Sequence, residues 1–124
     1  MEPTADSVAL YREASQLLQD RRVREATRRA EELASLEPDA RSALELLART
    51  YFAGARLGRA AEVFQRLVDG DPIDVFARIG LARTLQRLSR PDEAAAHARI
   101  AVALDPNADT LALLESLQAA VTSR

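Results

Sequence analysis

The residues that could carry out acid–base or metal chemistry are few in this sequence, and they do not converge on one motif. The only imidazole is His97, all 17 basic residues are Arg, and there is no Cys. A single His in a helical stretch is more often a surface or packing residue than a general base or a metal ligand. The absence of Lys excludes a phosphate-binding P-loop and Schiff-base catalysis, and the absence of Cys excludes thiol nucleophiles, disulfides and Cys-based metal sites.

The remaining short motifs do not supply a catalytic constellation. Gly54 and Gly58 have P-loop-like spacing but lack the following Lys, so we interpret them as turn residues that provide backbone freedom. Composition leaves a Ser-His-Asp triad open, but the nucleophile motif G-x-S-x-G is missing. No carboxylates have the spacing of a metal-binding loop. We therefore predict a protein that is not an enzyme and needs no cofactor or metal ion.

Composition indicates one helical domain. The chain has 124 residues, of which 48% are hydrophobic and 29% charged, and only 4% are aromatic. Abundant Ala favours closely packed helices over sheets. The net charge of −2 argues against nucleic acid as the partner. The start of the sequence lacks the pattern of a signal peptide, and no apolar run is long enough to span a membrane, so we expect a cytoplasmic protein.

The element that organises the chain is an acidic residue followed by proline. The pair occurs as Glu37-Pro38, returns as Asp71-Pro72 and returns again as Asp105-Pro106, with a spacing of 34 residues each time. Proline ends a helix that precedes it by about one turn. A fixed period of this length is typical of stacked helical repeats, in which each repeat contacts only its neighbours.

Other positions follow the same period. Numbered from Ser7, Arg41 and Val75, the repeats carry small residues at positions 8 and 20 and large residues at position 11. Small residues allow two helices to approach, and a large residue fills the space beside them. The residues concerned are Ala14, Ala48 and Ala82 (position 8), Ala26, Ala60 and Ala94 (position 20), and Leu17, Tyr51 and Leu85 (position 11).

These residues resemble the tetratricopeptide repeat (TPR) family over nearly the whole chain. The resemblance implies an all-α, right-handed superhelical array of three helix-turn-helix repeats plus a C-terminal capping helix. We assign residues 1–6 to a flexible leader and 7–124 to the repeat domain, with repeats at 7–40, 41–74 and 75–108 and a capping helix at 109–122. The sequence departs from the family at Arg78, Ala30 and Ala98, where bulky or aromatic residues are usual. An unrelated helical bundle is the alternative.

The resemblance also implies a concave groove that holds a segment of a partner protein. Apolar side chains among interspersed arginines favour a segment with bulky apolar and acidic side chains. The alternative is that some of the aromatic side chains pack inside the superhelix. The predicted groove residues are Tyr11, Arg12, Leu46, Arg49, Phe52, Phe76, Ile79, Arg83 and Arg87.

One known type of TPR groove is a carboxylate clamp that captures the C-termini of chaperones through Lys and Asn side chains. The corresponding positions of this sequence carry neither residue type, which argues against a chaperone tail as the partner. They are occupied by Tyr11, Ser15, Leu46, Phe76 and Gly80.

The terminal helix has its apolar stripe rotated away from the expected core face. Either the helix turns about its axis and caps the third repeat, or it offers this stripe to a second copy of the chain. Self-association is therefore the alternative function, since homodimers are the commonest oligomers. The residues that would form the contact are Leu113, Leu117 and Val121.

A group of arginines at the start of the second predicted helix has two interpretations. It could be a patch for phosphate groups or acidic partners, or it could be a solvated outer face. The acidic neighbours Asp20, Glu25, Glu31 and Glu32 favour the solvated face, and nucleic-acid binding is the weakest of the functional hypotheses. The group consists of Arg21, Arg22, Arg24, Arg28 and Arg29.

Overall fold

The computed structural model describes residues 4–123, and within that range the chain forms seven α-helices. They pair as three helix-turn-helix repeats and a final capping helix, which confirms the all-α fold predicted from the period. The described residues cluster into two compact units, unit 1 up to Val63 and unit 2 from Phe64. The helices are α1 (Ala5–Gln19), α2 (Val23–Leu36), α3 (Arg41–Ala53), α4 (Leu57–Gly70), α5 (Val75–Arg87), α6 (Pro91–Leu104) and α7 (Ala108–Thr122).

Helix α1 begins earlier than the sequence suggested. Thr4 is its N-cap, and the Thr4 hydroxyl accepts a hydrogen bond from the Ser7 N–H at 3.1 Å. A side-chain oxygen at this position satisfies an N–H group that the first turn leaves without a helical partner. Ala5 and Asp6 therefore belong to the helix and not to a leader, and the rest of the predicted leader, residues 1–3, lies outside the described residues.

The turn inside each repeat has the same backbone conformation and the same period of 34 residues. Arg21, Ala55 and Ser89 all adopt left-handed φ angles, of 61°, 58° and 61°. The next N–H reaches back to the third-last helical carbonyl, from Arg22 to Leu17 at 2.9 Å, from Arg56 to Tyr51 at 2.8 Å and from Arg90 to Leu85 at 2.9 Å. This is the Schellman arrangement, which satisfies the last carbonyls of a helix.

Glycine does not occupy the left-handed position in any of these turns. Gly54 is the C-cap of α3 with φ −86°, and Gly58 lies inside α4. The prediction that the two glycines supply the backbone freedom of the second turn is therefore wrong, because Ala55 takes the left-handed conformation instead. A side chain at this φ costs conformational energy that glycine would avoid.

The periodic alanines form the centre of each repeat, as the spacing predicts. All six alanines at positions 8 and 20 are completely buried, so no larger side chain separates the two helices of a repeat. In unit 1, α1 packs on α2 and both contact α3; in unit 2, α6 packs between α5 and α7.

Candidate functional site

In unit 1, the predicted groove positions of α1 border an open depression. Tyr11 is 38% exposed and Val8 37%, so two large apolar side chains lie together at the surface of the depression. Arg12 lies beside them and makes no ion pair with any residue from 4 to 123. The depression has a volume of about 500 Å³, and its lining residues are Ser7, Val8, Tyr11, Arg12, Leu33, Glu37, Ala40, Ser42 and Ala43.

Helix α3 contributes less to an exposed face than predicted. Leu46 is only 1% exposed, so its assignment to an open groove is wrong. The physical reason is that α3 is buried around most of its circumference, and its apolar residues are therefore core residues. Arg49 is exposed without an ion-pair partner in the described range, and Phe52 is half-buried.

In unit 2, the predicted residues of α5 lie around one partly exposed aromatic ring. Phe76 is 43% exposed, and its ring centroid is 6.1 Å from that of Phe64 with the ring planes at 57°. A tilted pair at this distance is a favourable aromatic geometry. Ile79 is half-buried, and both Arg83 and Arg87 are exposed. Arg83 makes no ion pair within residues 4–123.

His97 has a structural partner that sequence reasoning did not find. Arg78 donates from Nη1 to His97 Nδ1 at 3.0 Å and from Nε to the Pro72 carbonyl at 3.1 Å. Because a guanidinium can only donate, His97 must be the acceptor, which places the proton of the neutral ring on Nε2. Burial and the neighbouring Arg78 charge lower the pKa of His97, against a smaller opposing effect of Glu93.

The same contacts explain why Arg78 stands where the family usually has a bulky apolar residue. Its guanidinium joins the loop before α5 to the middle of α6, so it contributes by hydrogen bonding what an apolar side chain contributes by packing. Two features of the sequence could have indicated this pair: Arg78 at a position that is usually apolar, and the single histidine 19 residues later. We assign the pair a structural role in unit 2.

Tyr51 of α3 holds a polar network in unit 1. Its hydroxyl donates to Glu31 Oε2 at 2.7 Å, and Arg59 lies 3.6 Å from the same oxygen. The Arg59 guanidinium also sits 5.9 Å from the centre of the Tyr51 ring, within the range of a cation–π contact. Burial and the hydrogen bond to Glu31 raise the pKa of Tyr51.

The terminal helix turns its apolar stripe inward. Leu117 is completely buried and Leu113 nearly so, while Val121 is half-buried, and α7 packs on α6. The capping alternative is therefore the correct one, and Leu113 and Leu117 are not available for self-association. The helix start is held by reciprocal hydrogen bonds in which the Asn107 side chain accepts from the Thr110 N–H and the Thr110 hydroxyl accepts from the Asn107 N–H, each at 3.0 Å.

The arginine group of α2 is divided between paired and unpaired side chains. Arg22 makes a two-bond ion pair with Glu25, at 3.0 and 2.7 Å, and Arg29 contacts Glu13 and Glu32 at 2.9 and 3.1 Å. These pairs match the solvated face that the alternating charges favour, and exposed pairs of this kind add little stability. Arg21, Arg24 and Arg28 make no ion pair with residues 4–123.

The described part of the chain holds neither a membrane-spanning helix nor a metal-binding cluster. No helix formed by residues 4–123 is long and apolar enough to cross a membrane. The same residues contain no group of three or more His, Cys, Asp or Glu side chains placed to hold a metal ion.

Comparison with known families identifies the chain. The tetratricopeptide repeat family model matches residues 11–74, which is more than half of the sequence. The chain therefore belongs to the tetratricopeptide repeat family, whose domains are generally protein–protein interaction modules and typically non-catalytic. No curated protein sequence matches the chain.

Solved TPR structures share the fold at low sequence identity. The first TPR domain of Spaghetti (RPAP3), bound to the HSP90 peptide SRMEEVD, is 15% identical with a TM-score of 0.89, covering 97% of this chain and 96% of that chain. The Sgt2 TPR domain from Aspergillus fumigatus is 19% identical with a TM-score of 0.87, covering 97% and 82%. MamA MSR-1 C2 is 20% identical with a TM-score of 0.85, covering 98% and 72%.

Proposed function

We propose that this TPR domain binds a protein segment that carries bulky apolar and acidic side chains. The observation that carries the proposal is the depression of about 500 Å³ in unit 1, where exposed Tyr11 and Val8 border unpaired Arg12. Aromatic side chains supply much of the energy at protein interfaces, because they bury a large area at a small cost in conformational entropy.

Arg12 provides the specificity for an acidic group. It is exposed at the rim of the depression and has no competing carboxylate partner among residues 4–123. A partner carboxylate could accept two parallel hydrogen bonds from its guanidinium, which is the strongest form of such a contact. An apolar anchor against Tyr11 with an acidic residue beside it is therefore the pattern that we expect in the partner.

Unit 2 offers a second contact of similar chemistry. The Phe76 ring packs against Phe64, which is 3% exposed, so its orientation is set before any partner binds. Pre-orientation reduces the entropy lost on binding. Ile79 extends the apolar surface of α5, and exposed Arg83 and Arg87 supply positive charge on the same helix.

The HSP90 peptide bound by the RPAP3 domain is not the partner that we propose here. The likeness between the two chains is one of fold, and the clamp positions here carry Tyr11, Ser15, Leu46, Phe76 and Gly80. None of these side chains is a cation, and Leu46 is buried. We expect the peptide SRMEEVD to bind this chain much more weakly than a segment selected for apolar and acidic residues.

Selection of binding peptides from a random library, with the purified chain as bait, tests the proposal. Enriched peptides should combine an aromatic or large aliphatic residue with Asp or Glu. Their affinity should fall at least about tenfold for Tyr11→Ser with Arg12→Gln, because an anchor and a charge-assisted hydrogen bond are both lost.

Exposed apolar residues outside these positions provide a matched control. Leu36 is 50% exposed and Ile73 71%, so Leu36→Ser with Ile73→Ser removes comparable apolar surface elsewhere. Selected peptides should bind this control with unchanged affinity. Equal binding by the Tyr11 and Arg12 variant, or selection of peptides without acidic residues, would contradict the proposal.

A further inference from the structure

A second depression in unit 1 is lined by three arginines from two elements. Arg24 and Arg28 come from α2, and Arg56 comes from the turn between α3 and α4. We call this surface the α2 basic groove. It has a volume of about 330 Å³, and its lining residues are Val23, Arg24, Thr27, Arg28, Glu31, Gly54 and Arg56.

The positive charge of the α2 basic groove is not neutralised by the residues around it. Arg24, Arg28 and Arg56 make no ion pair with any residue in the range 4–123. Glu31, the acidic residue in the lining, is already bound by the Tyr51 hydroxyl at 2.7 Å and lies 3.6 Å from Arg59. The three arginines of the groove therefore surround a single carboxylate, Glu31, and that carboxylate also interacts with a fourth cation, Arg59.

The other carboxylates near Arg28 are occupied as well. Glu13 and Glu25 lie with Arg28 around a neighbouring small depression, but Arg29 binds Glu13 at 2.9 Å and Arg22 binds Glu25 at 2.7 Å. Arg28 could therefore gain a carboxylate partner only by displacing one of these arginines or from another molecule. Binding of an anion stabilises a group of neighbouring cations, because it offsets their mutual repulsion.

The repeat architecture does not require the two arginines that α2 contributes to the groove. One period later, the positions of Arg24 and Arg28 hold Gly58 and Glu62, and two periods later they hold Asp92 and Ala96. The residues that the fold does require at this end of the second helix are the buried alanines and the turn. The two arginines of α2 are therefore particular to the first repeat, whereas the position of Arg56 in the second repeat holds Arg in all three, as Arg22, Arg56 and Arg90.

The non-charged walls of the groove suit an extended peptide. Val23 provides an apolar wall, and Gly54 allows close approach to it, since a Cβ on Gly54 would lie 3.2 Å from Val23 Cγ1. The Thr27 hydroxyl donates its hydrogen to the Val23 carbonyl at 2.8 Å, so the arginines are the groups of the groove that would donate to a ligand. The Arg22 side chain at the N-cap of α2 accepts no hydrogen bond from the N–H groups of the first turn, and the start of a helix attracts negative charge.

We propose that the α2 basic groove binds an acidic protein segment through its carboxylates. Carboxylates match the bidentate geometry of arginine. A long polyanion such as nucleic acid is disfavoured, because it would continue past the groove onto the acidic residues Glu13, Glu25 and Glu32, and the chain has a net charge of −2. This surface is formed by α2 and the α3–α4 turn, so it is separate from the Tyr11 depression and does not depend on the proposed function.

Fluorescence anisotropy with a labelled, end-capped peptide of sequence Glu-Asp-Glu-Glu-Ala-Glu tests this inference. Wild type should bind this peptide and should not bind its uncharged counterpart Gln-Asn-Gln-Gln-Ala-Gln. Arg24→Gln with Arg28→Gln should weaken binding about tenfold or more, because charge-assisted hydrogen bonds are lost. Arg56→Gln alone should also weaken it. Gln preserves helix propensity, so both variants should keep the helical circular dichroism signal.

The charge-matched control is Arg90→Gln with Arg99→Gln, which removes two exposed cations of unit 2 that belong to neither proposed binding surface. Its affinity for the acidic peptide should stay within about twofold of wild type, since exposed charges outside the groove are screened by salt. An equal loss in both double variants, or no binding by wild type, overturns the proposal. Tighter binding of labelled oligothymidylate than of the peptide, abolished by the Arg24 and Arg28 variant, would replace an acidic protein segment with nucleic acid as the ligand.

Discussion

The Phe64 ring lies directly over Gly80. A Cβ atom placed on Gly80 would be 2.2, 2.4 and 2.7 Å from three atoms of that ring. The corresponding pair one period earlier is Ala30 and Leu46, both buried, with the small residue on the second helix of the repeat and the large one on the next first helix. In the earlier pair the large side chain, Leu46, comes from the first helix of the next repeat, whereas in the later pair Phe64 comes from the second helix. The Phe64 ring then occupies the space of a side chain at position 80, so this position requires glycine.

Gly80→Ala should lower the free energy of unfolding by about 1–2 kcal/mol, because the cost of overpacking exceeds the gain in helix propensity. Urea unfolding followed by circular dichroism measures the change. Gly58→Ala is the control: it also lies in a helix, and nothing is within 4 Å of its Cβ position. It should raise the free energy of unfolding by about 0.5–1 kcal/mol. Stabilisation by both substitutions would contradict the Phe64 contact.

Ala55→Gly should stabilise the protein. Ala55 has φ 58°, where a Cβ costs roughly 1–2 kcal/mol. Glycine removes this cost, and the greater entropy that it gives the unfolded chain offsets only part of that stabilisation. We expect an increase of about 0.5–1 kcal/mol in the free energy of unfolding. Ala53→Gly makes the same chemical change in the last residue of α3, where it should cost about 1 kcal/mol. The opposite signs of the two changes, measured by urea unfolding, are the expected result.

The stability of unit 2 should decrease as the pH falls below about 6.5, the ordinary pKa of histidine. The pKa of His97 is lowered in the folded state, so the unfolded chain binds its proton first and acid favours unfolding. Protonation would also remove the acceptor for Arg78 and place two cations together. The stability that neutral His97 provides is complete above the pKa of this residue in the unfolded chain. It is lost as the pH falls towards the lower pKa that His97 has in the folded protein.

His97→Gln isolates this effect, because Gln can accept from Arg78 but does not titrate. Melting temperatures measured from pH 8 to pH 5 should fall for wild type more than for the variant. Glu93, which opposes the shift, is present in both proteins and does not affect the comparison. Parallel curves for the two proteins would contradict a lowered pKa for His97.

Leu117→Ala should lower the free energy of unfolding by about 2–5 kcal/mol, since the side chain is completely buried and its loss leaves a cavity. Leu111→Ala on the same helix, where the residue is 46% exposed, should change it by less than about 0.5 kcal/mol. Light scattering on both variants should give the same molar mass as wild type while they remain folded. A smaller molar mass for folded Leu117→Ala would show that this residue supports an oligomer.

The helices and their order could be predicted from the sequence because the signals for them are local and periodic. Pro38, Pro72 and Pro106 end helices through their own geometry, and the small residues recur wherever two helices must approach closely. The exposure of individual groove residues could not be predicted in the same way. Leu46 has the position of a groove residue, but α3 is buried around most of its circumference.

The sequence by itself therefore determined the TPR architecture, the three repeats and the absence of chemistry that depends on Lys or Cys. Only the tertiary structure decided which face of α7 is buried, that Arg78 bonds His97, and that Arg56 joins Arg24 and Arg28. The physical reason is the range of the interactions. Helix formation and termination depend on residues within a few positions, whereas burial and charge pairing depend on side chains that folding brings together from separate helices.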